Sequence, residues 1–289
     1  MKILLFLILL FLTGIVIAFL YVWYRLHTQL NFHAEASEYT FPDGLTAETQ
    51  FVTNANGQQI AYWSFPVKNP KAVVILVHGY SNPGGKTSML GHVPYLRKAG
   101  YSTVLVDMRS FGESEGEKIY MGVKEWQDLE AVYDHLSSLS ENKDKKIGYL
   151  GISMGATTSL VTVGKTQKGD FIIASVPYKN LQSLFAFRID KEGFPASIFT
   201  PFMTTAGYLE FGRSYPGNTP MAVVGNIKVP VLLFSAEKDQ TVDHEDASDI
   251  YRALETTKEY QEFPTGHDIF WHDPEGFQKA VLEFLAKQV

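Results

Sequence analysis

The chain contains no cysteine. That excludes a disulfide framework, a Cys-ligated zinc or iron–sulfur site and thiol catalysis. It leaves the redox compartment open, since an exported protein can also do without cysteine. Charge is sparse too: Asp, Glu, Lys and Arg make up 19% of the 289 residues, 25 basic against 31 acidic, for a formal charge of −6. With an acidic pI near 5.8 and no basic block, nucleic acid is not an expected partner. There is no internal repeat and no low-complexity tract, and the 45% hydrophobic content is that of a globular protein rather than a disordered one.

Charge is missing altogether from Ile3 to Tyr24. Only Thr13 and Gly14 interrupt this apolar run of 22 residues, which is bracketed by Lys2 and Arg25. At ~1.5 Å per residue it spans ~33 Å as a helix, about one hydrocarbon core. Tyr21, Trp23 and Tyr24 stand at its end, where an interfacial aromatic belt belongs. A cleaved signal peptide has a shorter apolar region of ~7–15 residues, and the Ala34-Glu35-Ala36 site lies ten residues beyond the run. Residues 1–30 are therefore read as a single-pass transmembrane anchor with its juxtamembrane segment. Lys2 and Arg25 nearly balance, and the α-amino group tips the count toward an extracytoplasmic domain. Residues 31–289 remain for one substantial core.

In that remainder, strand and helix patterns alternate. Glu48–Thr53 and Gln59–Phe65 flank Asn54-Ala55-Asn56-Gly57, a hairpin signal. Ala72–Val77 shows no polar alternation, as expected of a strand buried on both faces. The pattern predicts a helix over 88–99, a strand at Ser102–Val106, a helix over 122–139, a strand at Lys146–Leu150 and a helix from Met154. Strands follow at Phe171–Val176, Val229–Ser235 and Glu259–Phe263, with a helix near 245–254 after the second of them. A last helix opens at Asp273-Pro274, with Asp273 as its cap. This order predicts an α/β fold with a doubly wound, mostly parallel sheet. Residues 178–226 break the rhythm with nine Phe or Tyr and no clear strand, which predicts an inserted helical cap.

The chemistry-bearing residues fall at strand ends. Gly151-Ile152-Ser153-Met154-Gly155 follows a strand and enters a helix, the pattern of a nucleophile elbow whose glycines let a strained turn pass. Gly112-Glu113-Ser114-Glu115-Gly116 has the same spacing but no strand directly before it. Two glutamates flank its serine, and their charge would oppose an alkoxide, so Ser153 is preferred. A serine needs a base and an orienting carboxylate, in the chain order Ser, Asp/Glu, His. Asp239 follows the strand ending at Ser235, and His267 follows the strand ending at Phe263. Asp243 is the rival carboxylate, although it reads as the start of the next helix, and Glu237 is less suited still. His272 lies beside a helix cap, and His33, His92, His135 and His244 fall on linkers or helix faces. His78-Gly79-Tyr80 follows the buried strand 72–77. The backbone N–H of Tyr80, with that of Met154, would form an oxyanion hole, and His78 would brace the loop.

Together, His78-Gly79, Asp107-Met108-Arg109 leading to Gly112-Glu113-Ser114, the Gly151–Gly155 elbow, Asp239 and Gly266-His267 resemble the α/β-hydrolase superfamily. The likeness runs from about residue 48 to 289. It is nearest to membrane-anchored serine hydrolases with a short cap, of the monoglyceride-lipase or serine-aminopeptidase type. One departure is Ser110, where the family loop usually has Gly. The resemblance implies hydrolysis of an ester, thioester or amide through an acyl-enzyme, with Ser153 attacking, His267 relaying the proton and Asp239 holding the imidazole. It implies no metal and no cofactor.

Two other classes are open to the same residues. Gly84-Gly85-Lys86-Thr87 imitates a phosphate-binding loop, but the first glycine position is Tyr80 and Pro83 removes a donor, so the turn does not close in register. A non-catalytic binding protein on this fold has no need of a full triad. Within the hydrolase reading, thioesterase, peptidase and acyltransferase share the triad. The cap aromatics Phe185, Phe187, Phe194, Phe199, Phe202, Tyr208 and Phe211 suit an apolar acyl substrate, and equally suit packing of the cap on the core. The anchor favours lipid-like esters, and the expected enzyme is a carboxylesterase or lipase-like hydrolase of small acyl substrates with short to medium chains.

Overall fold

The structure, a computed structural model, describes the whole chain except Asp43, Asn82, Ser214 and Val289. It opens with helix α1 (Lys2–Leu30), long and apolar enough to cross a membrane. From Lys2 to Ile17 every residue of α1 is exposed. The one hydroxyl in this stretch is satisfied internally, since Thr13 donates to the carbonyl of Leu9 at 2.8 Å. The apolar run ends at Tyr24 but the helix does not. Its last turns reach the globular part, where Leu26 and Leu30 are 3% and 2% exposed.

After the hairpin strands β1 (Gln50–Thr53) and β2 (Gln59–Phe65) come β3 (Ala72–Val77), α2 (Val93–Lys98), β4 (Ser102–Val106) and α3 (Trp126–Ser138). The chain continues through β5 (Lys146–Ile152), α4 (Met154–Thr166), β6 (Ile172–Ser175), α5 (Leu181–Lys191), α6 (Ala196–Phe211) and α7 (Pro220–Val223). It ends with β7 (Val231–Ala236), α8 (His244–Ala253), β8 (Lys258–Phe263), α9 (Ile269–His272) and α10 (Pro274–Gln288). The eight strands form one sheet in the order β1-β2-β4-β3-β5-β6-β7-β8. β1–β2 and β2–β4 are antiparallel and the other five pairings are parallel.

The unbroken apolar strands serve two cores, one on each face of the sheet. Along β3, Val73, Ile75 and Val77 join the face packed by α3 and α4, while Val74 and Leu76 join the face packed by α2 and α10. This period of two repeats in β7, where Val231 and Leu233 face one way and Leu232, Phe234 and Ala236 the other. Each fully buried aliphatic side chain contributes ~1.5–3 kcal/mol, so β3, with all six residues buried, is the spine of the domain.

Two helices start later than their periodicity suggests. Residues 86–92 form a 3₁₀ segment and α2 begins only at Val93, because Pro94 in its first turn has no N–H to bond back into an earlier turn. α3 begins at Trp126 because the Glu125 carboxylate accepts from the backbone N–H of Tyr120 and of Gly122, holding residues 120–125 in a loop. Between β6 and β7, α5 and α6 form the helical insertion, and α6 packs on the end of α1. There Glu210 accepts from Lys118 Nζ at 2.6 Å and from Asn31 at 3.2 Å, with His27 Nδ1 at 3.0 Å. Burial favours the neutral acid, but these partners outweigh it and hold its carboxyl below the usual range.

His92 is buried with its ring 4.1 Å from that of Phe270, and burial lowers its pKa from 6.5 to about 3. Unfolded, it takes a proton near 6.5; folded, it refuses one until about 3. The unfolded chain therefore binds the extra proton within that window, so the contribution is complete above pH 6.5 and is lost as pH falls. Urea denaturation from about pH 7 to 4 should show a shallower acid loss for His92→Gln than for the wild-type protein. An equally steep loss in both would place the acid sensitivity elsewhere.

Candidate active site

At the end of β5 the chain reverses into α4 through Ser153, whose backbone stands at φ 54° and ψ −115°. That conformation is costly for a residue with a side chain and persists only where the surroundings impose it. Here they do. A Cβ at Gly151 would lie 2.4 Å from the Gly155 carbonyl oxygen, and one at Gly155 would lie 2.2 Å from the Val77 carbonyl oxygen. The elbow is thus clamped between its own helix and the end of β3. Ser153 N–H donates to the carbonyl of Ser175 at 2.8 Å, tying the turn to β6. The residue is 8% exposed, and the N–H of Met154 opens α4, where the helix dipole favours negative charge.

Asp239 follows β7 and is nearly buried. Its Oδ1 accepts from the N–H groups of Thr241 at 2.7 Å and Val242 at 3.0 Å, which leaves Oδ2 to meet His267 Nδ1 at 2.6 Å. His267, on the loop after β8, is partly exposed. The structure therefore joins the expected carboxylate and histidine directly. Among the described residues neither Ser153 Oγ nor His267 Nε2 makes a hydrogen bond, and such contacts commonly tighten only when substrate is bound. Asp243 instead caps α8, accepting from Glu245 N–H at 3.1 Å, and none of its described bonds reaches His267.

The turn after β3 closes on the elbow: a Cβ at Gly79 would sit 3.4 Å from that of Ser153. This brings the backbone of Tyr80 close to the serine, while the Tyr80 hydroxyl donates to the Gln29 carbonyl of α1 at 2.8 Å. His78 braces the turn as expected, since Nε2 accepts from Met108 N–H at 3.1 Å and Nδ1 lies 2.8 Å from the Gly79 carbonyl. Burial lowers its pKa, in keeping with this neutral tautomer.

The look-alike motifs resolve into scaffolding. Ser114 is buried; its Oγ donates to the Asp107 carbonyl at 2.6 Å and accepts from Ala61 N–H at 2.8 Å. Lys86 is buried over the Trp63 ring, with Nζ 2.5 Å from Asp107 and 2.7 Å from Glu113, so it is committed to an ion-pair network rather than to a phosphate. Ser110 sits at φ 65°, a left-handed position that glycine occupies without strain. A polar cavity of about 620 Å³, lined by Arg109, Tyr120, Lys124 and Lys165 among others, includes none of Ser153, Asp239 or His267. Arg188 of α5 was not signalled by any motif. Its Nε donates to the Thr241 carbonyl at 3.4 Å, beside the Asp239 turn, and burial lowers its pKa.

Comparison with known proteins places this geometry in a family. The family described as serine aminopeptidase, S33, matches residues 68–193, and that described as alpha/beta hydrolase fold matches residues 193–274. The two matches adjoin, and the fold is that of the α/β hydrolases. It is 24% identical to the uncharacterized protein YfhR of Salmonella typhimurium over 90% of this chain and 87% of that one. It is 21% identical to the lysophosphatidylserine lipase ABHD12 of Macaca fascicularis, over 81% of this chain and 61% of the lipase. The esterase Pf2001 of Pyrococcus furiosus superposes with a TM-score of 0.72 at 23% identity, covering 89% of this chain and 99% of the esterase, a likeness of fold.

Two substitutions separate the paired motifs. Ser114→Ala should cost ~1–3 kcal/mol of stability, because it leaves buried backbone groups unpaired, yet retain reactivity toward a serine-directed probe. Gly155→Ala should destroy that reactivity by displacing the elbow. Loss of probe labelling in Ser114→Ala, with its fold intact by circular dichroism, would reverse the assignment.

Proposed function

We propose that the protein is a serine hydrolase that cleaves a carboxylic ester or related acyl bond. The observation that carries this reading is the 2.6 Å bond from His267 Nδ1 to Asp239, on the sheet edge where Ser153 occupies its strained elbow. Ser153 Oγ attacks the acyl carbon and its proton passes to His267 Nε2. Asp239 holds the imidazole and offsets the positive charge that forms on it. The backbone N–H groups of Tyr80 and Met154 receive the oxyanion. The leaving alcohol departs with the proton, and a water deprotonated by His267 then releases the acid and restores Ser153.

In this proposal residues 1–30 are a single-pass membrane anchor and 31–289 the hydrolase domain, extracytoplasmic, with its cap at about 178–226. The apolar helix and the lipase among the relatives favour a small, lipid-like acyl substrate.

A fluorophosphonate probe should label Ser153, mapped by mass spectrometry, and His267→Ala should abolish the labelling. A folded protein that takes up no probe would end the hydrolase reading. Asp239→Asn should lower turnover by roughly 10⁴, by reversing the imidazole tautomer. If turnover survives, the orienting carboxylate is Asp243.

A further inference from the structure

A cleft of about 330 Å³ separates α1 from the insertion, and its walls indicate what it holds. Ala18, Val22 and Leu26 line one side, and Phe185, Phe199 and Met203 the other. Along α1 the lining runs from Ala18 to Gln29, ~16 Å at ~1.5 Å per residue, the length of a medium to long acyl chain. Its character changes along that axis. It is apolar at Ala18 and Val22 and turns polar toward Gln29, with Arg25, Arg188 and Glu192 also lining the cleft. An acyl ester has the same polarity, an apolar tail leading to a polar carboxyl group.

The polar end abuts the loops of the site. Gln29 accepts from the Tyr80 hydroxyl, and Arg188 donates to Thr241, whose own N–H is held by Asp239. The apolar end begins where the fully exposed part of α1 stops, after Ile17. α6 carries no charge before Glu210, and it exposes Ile198 and Leu209, with Phe194 exposed just ahead of it. Phe194 lines the cleft, Ile198 and Leu209 stand outside its lining, and together with the exposed run of α1 these apolar side chains mark a surface that meets something other than water.

We propose that this cleft is the acyl-chain site, entered sideways from the bilayer, and that the membrane helix forms one of its walls. The substrate is then a single-chain lipid ester presented by the membrane, with its tail along Ala18 and Val22 and its carbonyl at Ser153. This inference rests on the serine-hydrolase reading and adds a substrate class to it. The two can fail separately.

The test uses the full chain in phosphatidylcholine vesicles and a long-chain alkyl fluorophosphonate with a diazirine at the chain end. Ser153 Oγ displaces fluoride, leaving the chain attached, and irradiation then fixes the chain end to whatever surrounds it. Crosslinks within residues 18–29 and 185–203 are expected. An adduct on Ser153 whose crosslinks fall elsewhere overturns the cleft assignment and leaves the hydrolase standing, whereas no adduct overturns both. As a second measurement, Val22→Trp and Met203→Trp should each lower the ratio of kcat/KM for a palmitoyl ester to that for an acetyl ester by roughly tenfold or more. Ile198→Trp, exposed on α6 and outside the lining, is the control for added surface bulk. A ratio that stays at the wild-type value in both cleft variants overturns the proposal.

Discussion

The candidate active edge of this protein depends on a shortage of space. α4 leaves the sheet so close to the end of β3 that no side chain fits at Gly151 or Gly155. Because those two positions are bare, Ser153 can be held in a conformation that a serine would not adopt in isolation, with its backbone tied to β6. The other elements follow from that clamp. The turn after β3 lies against the serine because β3 itself does, and the loops after β7 and β8 deliver Asp239 and His267 to the same edge because those strands run parallel to it. Burial supplies the stiffness. The inner strands are covered on both faces, so a strained turn at their ends cannot relax without disturbing the core.

Much of this was legible in the sequence, because the signals were local. Ala72–Val77 is short and apolar throughout, as a strand covered on both faces is; the register then carries Asp239 and His267 to the edge. The late starts of α2 and α3 were less visible. Pro94 could have warned of the first, but the second depends on a bond from Glu125 back to Tyr120, which no periodicity reports. Long-range docking was invisible. The apolar pattern of the first helix stops at Tyr24, whereas the helix continues to Leu30 because Leu26 and Leu30 find a core and Glu210 finds Asn31 and His27. Arg188 belongs to the same class: its placement beside the Asp239 turn follows from how α5 lies over the sheet, not from its neighbours in sequence.

The duplicated motifs show how little a spacing means without its surroundings. Ser114 and Ser153 share one five-residue template, yet one hydroxyl is locked between two backbone groups and the other has no partner among the described residues. Lys86 follows two glycines, as a phosphate-binding lysine would, and is consumed by Asp107 and Glu113. In each case the decoy is the residue whose hydrogen-bonding capacity is already spent.

Ala34 and Ala36 pair, one after the other, with Phe111 and Gly84. A free linker of about ten residues would let a domain wander roughly 18 Å from its attachment point. This link cannot, because its backbone donates to Ser110 and accepts from Gly84 within the folded body. The helix and the domain therefore turn together, like a keel fixed to a hull. If the keel stands in a bilayer, the domain's compass heading and its height above the lipid are set by the fold, and the edge that carries Ser153 samples the membrane by travelling along it rather than by reaching down to it.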